Sequence, residues 1–155
     1  MRRQDREVKD WDQIVRIMDG CDTCRLGLID GKRVYIVPLS FGYVIQDGKV
    51  SLYFHGAQQG RKLDLMSDGG EAAFEMDRSF GIRAIGNGHY TMPYQSVCGY
   101  GKVAFVENRK EKENALRVLL SHYSAERMMD FSDAVYEQTC VFRLDVTEIT
   151  CKENK

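Results

Sequence analysis

At 155 residues, 43% hydrophobic and 29% charged, the chain has the proportions of a soluble globular domain able to bury a core without staples. A net charge of −1 gives no general pull toward nucleic acid or an anionic membrane, so a bound anion has to be held by a local site. No apolar run approaches the roughly 20 residues that span a bilayer. The charged start, Met1-Arg2-Arg3-Gln4-Asp5-Arg6, is not followed by an apolar signal core, so a single cytoplasmic domain over residues 1–155 is the expectation.

The first predicted element is a helix from Trp11 to about Met18. Asp10 and Gln13 have capping-box spacing, Trp11, Ile14, Val15 and Met18 form the apolar stripe, and Gly20 is the stop. Four strand-like runs follow. Thr23–Ile29 puts Cys24, Leu26 and Leu28 on one face, and Asp30-Gly31 signals a hairpin into Arg33–Leu39. Pro38 cannot donate a ladder bond, which argues for an edge, a bulge or a backbone turned elsewhere. Phe41–Gln46 and Lys49–Phe54 flank a second hairpin signal, Asp47-Gly48.

The stretch Tyr53-Phe54-His55-Gly56-Ala57-Gln58-Gln59-Gly60-Arg61-Lys62 carries the strongest chemical signal. A strand runs through a glycine-spaced turn into a short helix, about Gly60 to Ser67, that opens on two cations. Bare amides, the helix dipole and two basic side chains suit an anion. A solvated corner with Arg61 and Lys62 facing water is the plainer alternative.

Asp68-Gly69-Gly70 breaks the chain before a strand, Glu71–Asp77, with Ala72, Phe74 and Met76 inward. Gly81–Pro93 reads as an irregular loop, of a length that is usually functional or held at an interface. Gln95–Val106 resumes as a strand, its Gly99 and Gly101 marking a bend or a close packing partner. A second helix, Arg109–Tyr123, is capped by Asn108, with Leu116, Leu119, Leu120 and Tyr123 as its stripe. Ser124–Gln138 reads as one or two helical turns, Thr139–Glu148 as the last strand, and Lys152–Lys155 as a solvated tail. The sum is six or seven antiparallel strands with two substantial helices, a mainly β (α+β) small barrel with helices outside.

Five cysteines, an odd and scattered set, do not suggest a disulfide scaffold. Cys21-Asp22-Thr23-Cys24 lacks the second half of a zinc site and lies between a helix end and a strand, unlike a thioredoxin-type pair. Buried or half-buried free thiols are expected, Cys98 among them. His89 and His122 are expected to face solvent or a neighbouring chain. Tyr43, Tyr94 and Tyr100 read equally as core, interface or substrate-contacting aromatics.

Several pieces, in this order, resemble a known family: Met1–Glu7, Cys24-Arg25-Leu26-Gly27-Leu28, Tyr35–Tyr43, Tyr53–Ala57 with Gly60-Arg61-Lys62, Tyr94–Gly101 and Val141–Asp145. The chain is similar to the pyridoxamine 5′-phosphate oxidase-like split-barrel flavoproteins, in the branch related to nitroimidazole resistance proteins. That resemblance implies an antiparallel split β-barrel and a homodimer holding flavin mononucleotide (FMN) in two equivalent interface sites. It implies that Arg61 and Lys62 bind the cofactor phosphate beside His55, Gly56 and Ala57. Val37, Pro38, Leu39 and Ser40 would line the ring system. Gln95, Ser96 and Val97 would come from the partner subunit or the facing strand. His55 becomes the candidate catalytic or substrate-contacting residue, and no metal ligands are implied.

Authentic pyridoxamine 5′-phosphate oxidases carry further basic residues and a C-terminal segment that grip the substrate phosphate, whereas this chain ends soon after Thr150-Cys151-Lys152, so vitamin synthesis is not the expectation. The implied activity is a flavin-dependent reductase or oxidase acting on a small aromatic or nitro-aromatic substrate, with NAD(P)H as a candidate donor. A flavin store or sensor without turnover, and a haem-binding split barrel, are the competing readings.

Overall fold

The computed structural model describes residues 3–124 and 131–155. In chain order its elements are β1 (Glu7–Val8), α1 (Trp11–Asp19), β2 (Cys24–Asp30), β3 (Arg33–Leu39), β4 (Phe41–Gln46), β5 (Lys49–Ala57), α2 (Arg61–Met66) and β6 (Gly70–Ser79). Then come β7 (Arg83–Gly86), β8 (His89–Thr91), β9 (Tyr94–Phe105), α3 (Arg109–Tyr123), α4 (Asp133–Gln138) and β10 (Thr139–Asn154). Among the described residues no helix is long and apolar enough to cross a membrane.

The antiparallel sheet follows the path β3-β2-β6-β9-β10-β5-β4, with β1 added to β10. Its two edge strands are consecutive in sequence, and Ser40 alone separates β3 from β4. The sheet therefore curls until its edges meet at Ser40 and is open along the rest of that seam, the split barrel expected from the sequence. Both hairpin signals hold. Asp47 and Gly48 take φ of 51° and 73°, the left-handed pair that a two-residue turn needs to match strand twist.

β10 runs along the whole barrel. Its first half pairs with β5 and its end with β1, while β9 lies along its other side past a bulge between Val146 and Glu148. Gly101 makes that bend possible, because a Cβ there would lie 2.7 Å from both the Asp145 carbonyl oxygen and Leu144 Cγ. Inside the barrel, Phe41, Phe54, Phe142, Leu26, Leu52 and Leu144 are fully buried, and Phe54 stacks on Phe142 with centroids 5.3 Å apart. Each such side chain contributes about 1.5–3 kcal/mol of burial. A second cluster, including Val106, Leu116, Leu119 and Tyr136, packs α3 and α4 over Val141 on the outside. At Gly42 the α3 backbone comes so close that a Cβ would lie 2.5 Å from the Val118 carbonyl oxygen.

Some expectations need correcting. Asp10 occupies the α1 N-cap position without a side-chain cap bond, and pairs instead with Arg16 at 3.7 Å. Gln13 reaches Glu153 on β10 (2.6 Å), so the capping box is not made; the buried stripe is Ile14, Ile17 and Met18. Asn108 does cap α3, accepting from the Lys110 and Glu111 amides at 2.9 and 3.2 Å. Gly81–Pro93 is not an irregular loop: β7 and β8 form a hairpin about Asn87 and Gly88, both at positive φ. The last strand continues to Asn154, so Lys152–Asn154 is paired rather than a solvated tail. Of the expected turns in Ser124–Gln138, the later one is α4, and 125–130 lie outside the described residues.

Cys98 is exposed, not buried, because alternation with Val97 and Gly99 turns it out of the barrel. Cys21, Cys24 and Cys151 are buried, and burial pushes the thiols of Cys21 and Cys151 up to about 11. His122 is half-buried, 4.3 Å from the Phe41 ring with Nε2 2.8 Å from the Cys21 carbonyl oxygen, whereas His89 is exposed.

Candidate functional site

β5 remains paired to its end, with His55 opposite Val141, Gly56 opposite Cys140 and Ala57 opposite Thr139. Gln58 and Gln59 then turn the chain, and Gly60, at φ 132°, takes a conformation that favours glycine before α2 begins. The Gly60 carbonyl oxygen accepts from the Leu63 and Asp64 amides at 2.8 and 3.2 Å.

The two cations that open α2 have different surroundings. The Arg61 guanidinium lies on Asp30 at the end of β2, with Nε 3.0 Å from Oδ2 and a further bond from Nη2. That carboxylate raises the guanidinium pKa further, and the donors bonded to it are Nε and Nη2. Lys62 folds back across β5. A Cβ on Gly56 would lie 2.8 Å from both Cε and Nζ of Lys62, so the missing side chain is what makes room for the lysine stem.

Lys62 is half-buried, and among the described residues it makes no ion pair or hydrogen bond. A partly desolvated ammonium without a counter-charge favours an anion beside it. Cys140 does not fill that role. Burial raises its pKa, outweighing the opposing influence of Lys112 and Lys62.

The seam opens at the same corner. Phe41 pairs with Phe54, and continuing that register would set Ser40 opposite His55 and Leu39 opposite Gly56. The chain leaves that register, since Leu39 pairs with Cys24 on β2. The backbones of 38–40 and 55–57 therefore diverge into a cleft. His55 and Ser40 are exposed there, and His55 has no hydrogen-bond partner among the described residues. Val37 and Leu39 are half-buried, and Pro38 is exposed on the edge strand. Counting from the closing pair Asp30–Arg33, Pro38 occupies a position whose N–H would point away from β2, so proline removes no ladder bond.

Val37, Pro38, Leu39, Ser40, His55, Gly56 and Ala57 thus lie where the seam opens, with Lys62 against Gly56, while the Arg61 guanidinium lies farther along the seam at Asp30, six residues along β2 from the Leu39–Cys24 pair. Gln95, Ser96 and Val97 do not join them within one chain. They pair with Glu153, Lys152 and Cys151 of β10, and the row Pro38–Arg25–Glu75–Cys98 sets β9 three strands, about 14 Å, from Pro38 across the barrel wall. Val97 is fully buried, so its side chain is unavailable to a ligand outside the barrel; the strand period points it into the core. Ser96 lines a depression with Cys98, Thr150 and Lys152. Gln95 is held at both ends, its Oε1 accepting from Arg78 Nε and its Nε2 donating to Glu153 Oε1, both at 2.6 Å.

Asp30, Arg78 and Glu153 escaped the sequence reading. Asp30 was legible only as a turn residue, and the other two act through partners far away in sequence. Of the tyrosines, Tyr43 donates to Asp19 and is half-buried, Tyr94 lies under Arg6 at 6.0 Å, and Tyr100 is exposed. Burial and the Asp19 carboxylate both raise the Tyr43 pKa.

A sequence profile described as pyridoxamine 5′-phosphate oxidase matches residues 10–153. A candidate 5-nitroimidazole antibiotic resistance protein from Bacteroides thetaiotaomicron VPI-5482 superposes with a TM-score of 0.81 at 28% identity, over 95% of this chain and 86% of that one. The FAD and haem binding protein from Mycobacterium smegmatis also gives 0.81, at 15% identity over 97% and 74%. The flavocytochrome Anf3 from Azotobacter vinelandii gives 0.78, at 19% identity over 100% and 72%. The last two likenesses establish the fold. No curated protein gives a significant sequence match.

Proposed function

Because the chain belongs to the pyridoxamine 5′-phosphate oxidase family, we propose that it binds FMN and acts as a flavin-dependent oxidoreductase on a small aromatic or nitro-aromatic substrate. The observation that carries this reading is the Lys62 ammonium, half-buried against Gly56 with no counter-charge among the described residues, preceded in α2 by an arginine that keeps donors to spare. A dianionic phosphate is the chemistry such a pair suits, since charge-assisted bonds are roughly twice as strong as neutral ones.

The residues present fit the rest of the group. Val37 and Leu39 offer a half-buried apolar strand edge for a flat ring, and Ser40 and the Pro38 carbonyl add fixed polar groups. Bound flavin would supply the redox chemistry. The protein's part is to hold the phosphate on Arg61 and Lys62 and to set the ring against the seam. His55, exposed and without a hydrogen-bond partner among the described residues, can donate a hydrogen bond or a proton to a substrate. Gln95 and Ser96 lie three strands from Pro38 on the barrel wall, and in the proposed homodimer they would reach the other subunit's cleft. NAD(P)H is the proposed donor.

The test is the visible spectrum of the purified protein after incubation with FMN and, separately, with haemin. Flavin bands that bleach under NADH or NADPH without oxygen support the oxidoreductase. Flavin bands that reductant leaves unchanged would support a carrier, and an intense haem band alone would transfer the site to His55 as an iron ligand.

A further inference from the structure

The hairpin β7–β8 projects from the barrel end. Every residue from Ser79 to Tyr90 is exposed, and the arm presents Ile82, Ile85 and Tyr90 at 76%, 63% and 70% exposure. Large apolar side chains gathered on one projection mark an interaction surface. The arm is firmly based: the Phe80 N–H donates to the Pro93 carbonyl (2.9 Å), and Asn154 Nδ2 donates to Thr91 Oγ1 (3.0 Å) and to the Met92 carbonyl (3.1 Å).

The same wall of the barrel carries a second apolar patch at its other end. Ile29, Val34 and Ile36 point outward from β2 and β3 with exposures of 69%, 62% and 63%. Between patch and arm runs a charged band, where Arg25 Nη1 bonds both Glu75 (3.0 Å) and Asp77 (2.9 Å), with Lys152 opposite Ser96 just beyond. Read along the wall, the order is apolar patch, charge-balanced band, apolar arm.

A surface with this order complements itself. A two-fold axis through the charged band sets each arm on the other copy's patch and each cation near the other copy's carboxylates. From these relationships we infer that the arm is the dimerisation element, seated on Ile29, Val34 and Ile36 of a second copy of this chain. The inference rests on the homodimer proposed above and names its contact. It also accounts for the reach of Gln95 and Ser96. β8 leads through Pro93 into both residues, and β3 leads from Val34 and Ile36 into Val37–Ser40, so an arm on the partner's β3 brings Gln95 and Ser96 toward the partner's cleft.

The test uses the full chain with Cys98→Ser, which removes the outward native thiol. Ile85→Cys and Ile36→Cys are introduced separately and the two proteins are mixed under mild oxidation. The expected result is a covalent dimer of one variant with the other, abundant in the mixture and at least tenfold scarcer in either protein alone. Equal cross-linking in each single variant, or none in the mixture, would overturn the inference. Ile82→Ser with Ile85→Ser is the second probe. It should weaken the dimer at least tenfold in sedimentation while leaving the circular dichroism unchanged, and an undiminished dimer would overturn the inference. FMN titration of the same samples keeps the two ideas apart: a cross-linked dimer that takes up no flavin sinks the cofactor reading alone, and a flavin-binding protein without the cross-link sinks the arm alone.

Discussion

Arg61 and Asp30 form an ion pair that joins the start of α2 to the turn between β2 and β3, with Nε 3.0 Å from Oδ2. The carboxylate holds the guanidinium in place and also sets a negative charge beside the proposed phosphate. Asp30→Asn keeps a hydrogen-bond acceptor and removes that charge. FMN affinity is therefore expected to rise about threefold to tenfold, measured by quenching of flavin fluorescence. A lower affinity would mean that Asp30 is needed chiefly to aim Arg61.

Two glycines of the barrel should respond in opposite ways to alanine. At Gly56 the new methyl meets the flexible end of Lys62, which can swing aside, so the fold is expected to hold within about 1 kcal/mol. FMN binding should weaken at least tenfold, because the ammonium loses its seat. At Gly42 the methyl meets the Val118 carbonyl oxygen at 2.5 Å and Leu119 Cα at 2.7 Å, both in the α3 backbone. That variant should lose about 1–3 kcal/mol in urea unfolding, with flavin affinity preserved in the folded fraction.

Glu153 joins three elements. It accepts from Gln13 on α1 and from Gln95 on β9, each at 2.6 Å, and Gln95 in turn accepts from Arg78 on β6. Glu153→Ala leaves two amides without their acceptor and is expected to cost about 1.5–3 kcal/mol in urea unfolding. Glu153→Gln keeps an acceptor and should cost less than half as much.

Glu75 gives a pH-dependent signature. Burial raises its pKa, and the Asp77 carboxylate adds to that, while Arg25 opposes both. A carboxyl whose pKa is higher folded than unfolded contributes stability below its unfolded value, about 4.3, and that contribution is lost as pH rises through the folded value. Glu75→Gln cannot ionise. Its stability relative to the parent chain should therefore increase between about pH 3 and pH 7, read from urea midpoints. A constant difference would contradict the shift.

Much of the barrel was legible because local chemistry and tertiary position agree. Asp47-Gly48 supplies a primed turn, Pro38 lies on an edge strand at a position needing no ladder donor, and Leu26, Leu52 and Leu144 alternate into one core. The arm was missed because Ile82, Ile85 and Tyr90 are largely exposed, so no buried face imposes a period on them. The end of β10 was missed for a related reason. Lys152-Glu153-Asn154 is polar, and it is kept as strand by pairing with β9 and β1 and by the Gln13 and Gln95 amides. At the site, residues close in sequence could be grouped by reading alone. The Arg61–Asp30 pair, the separation of Gln95 from Pro38 and the burial of Val97 needed the folded chain.

The central claim is that the corner of Gly56, Arg61 and Lys62 holds a phosphate, and FMN and riboflavin differ by that group alone. Titration of the flavin-free protein with each compound tests it directly. FMN is expected to bind at least about 100-fold more tightly than riboflavin, and the gap should shrink below about threefold in Arg61→Ala/Lys62→Ala while riboflavin affinity stays constant. Equal affinity for the two compounds in the native chain would contradict the account.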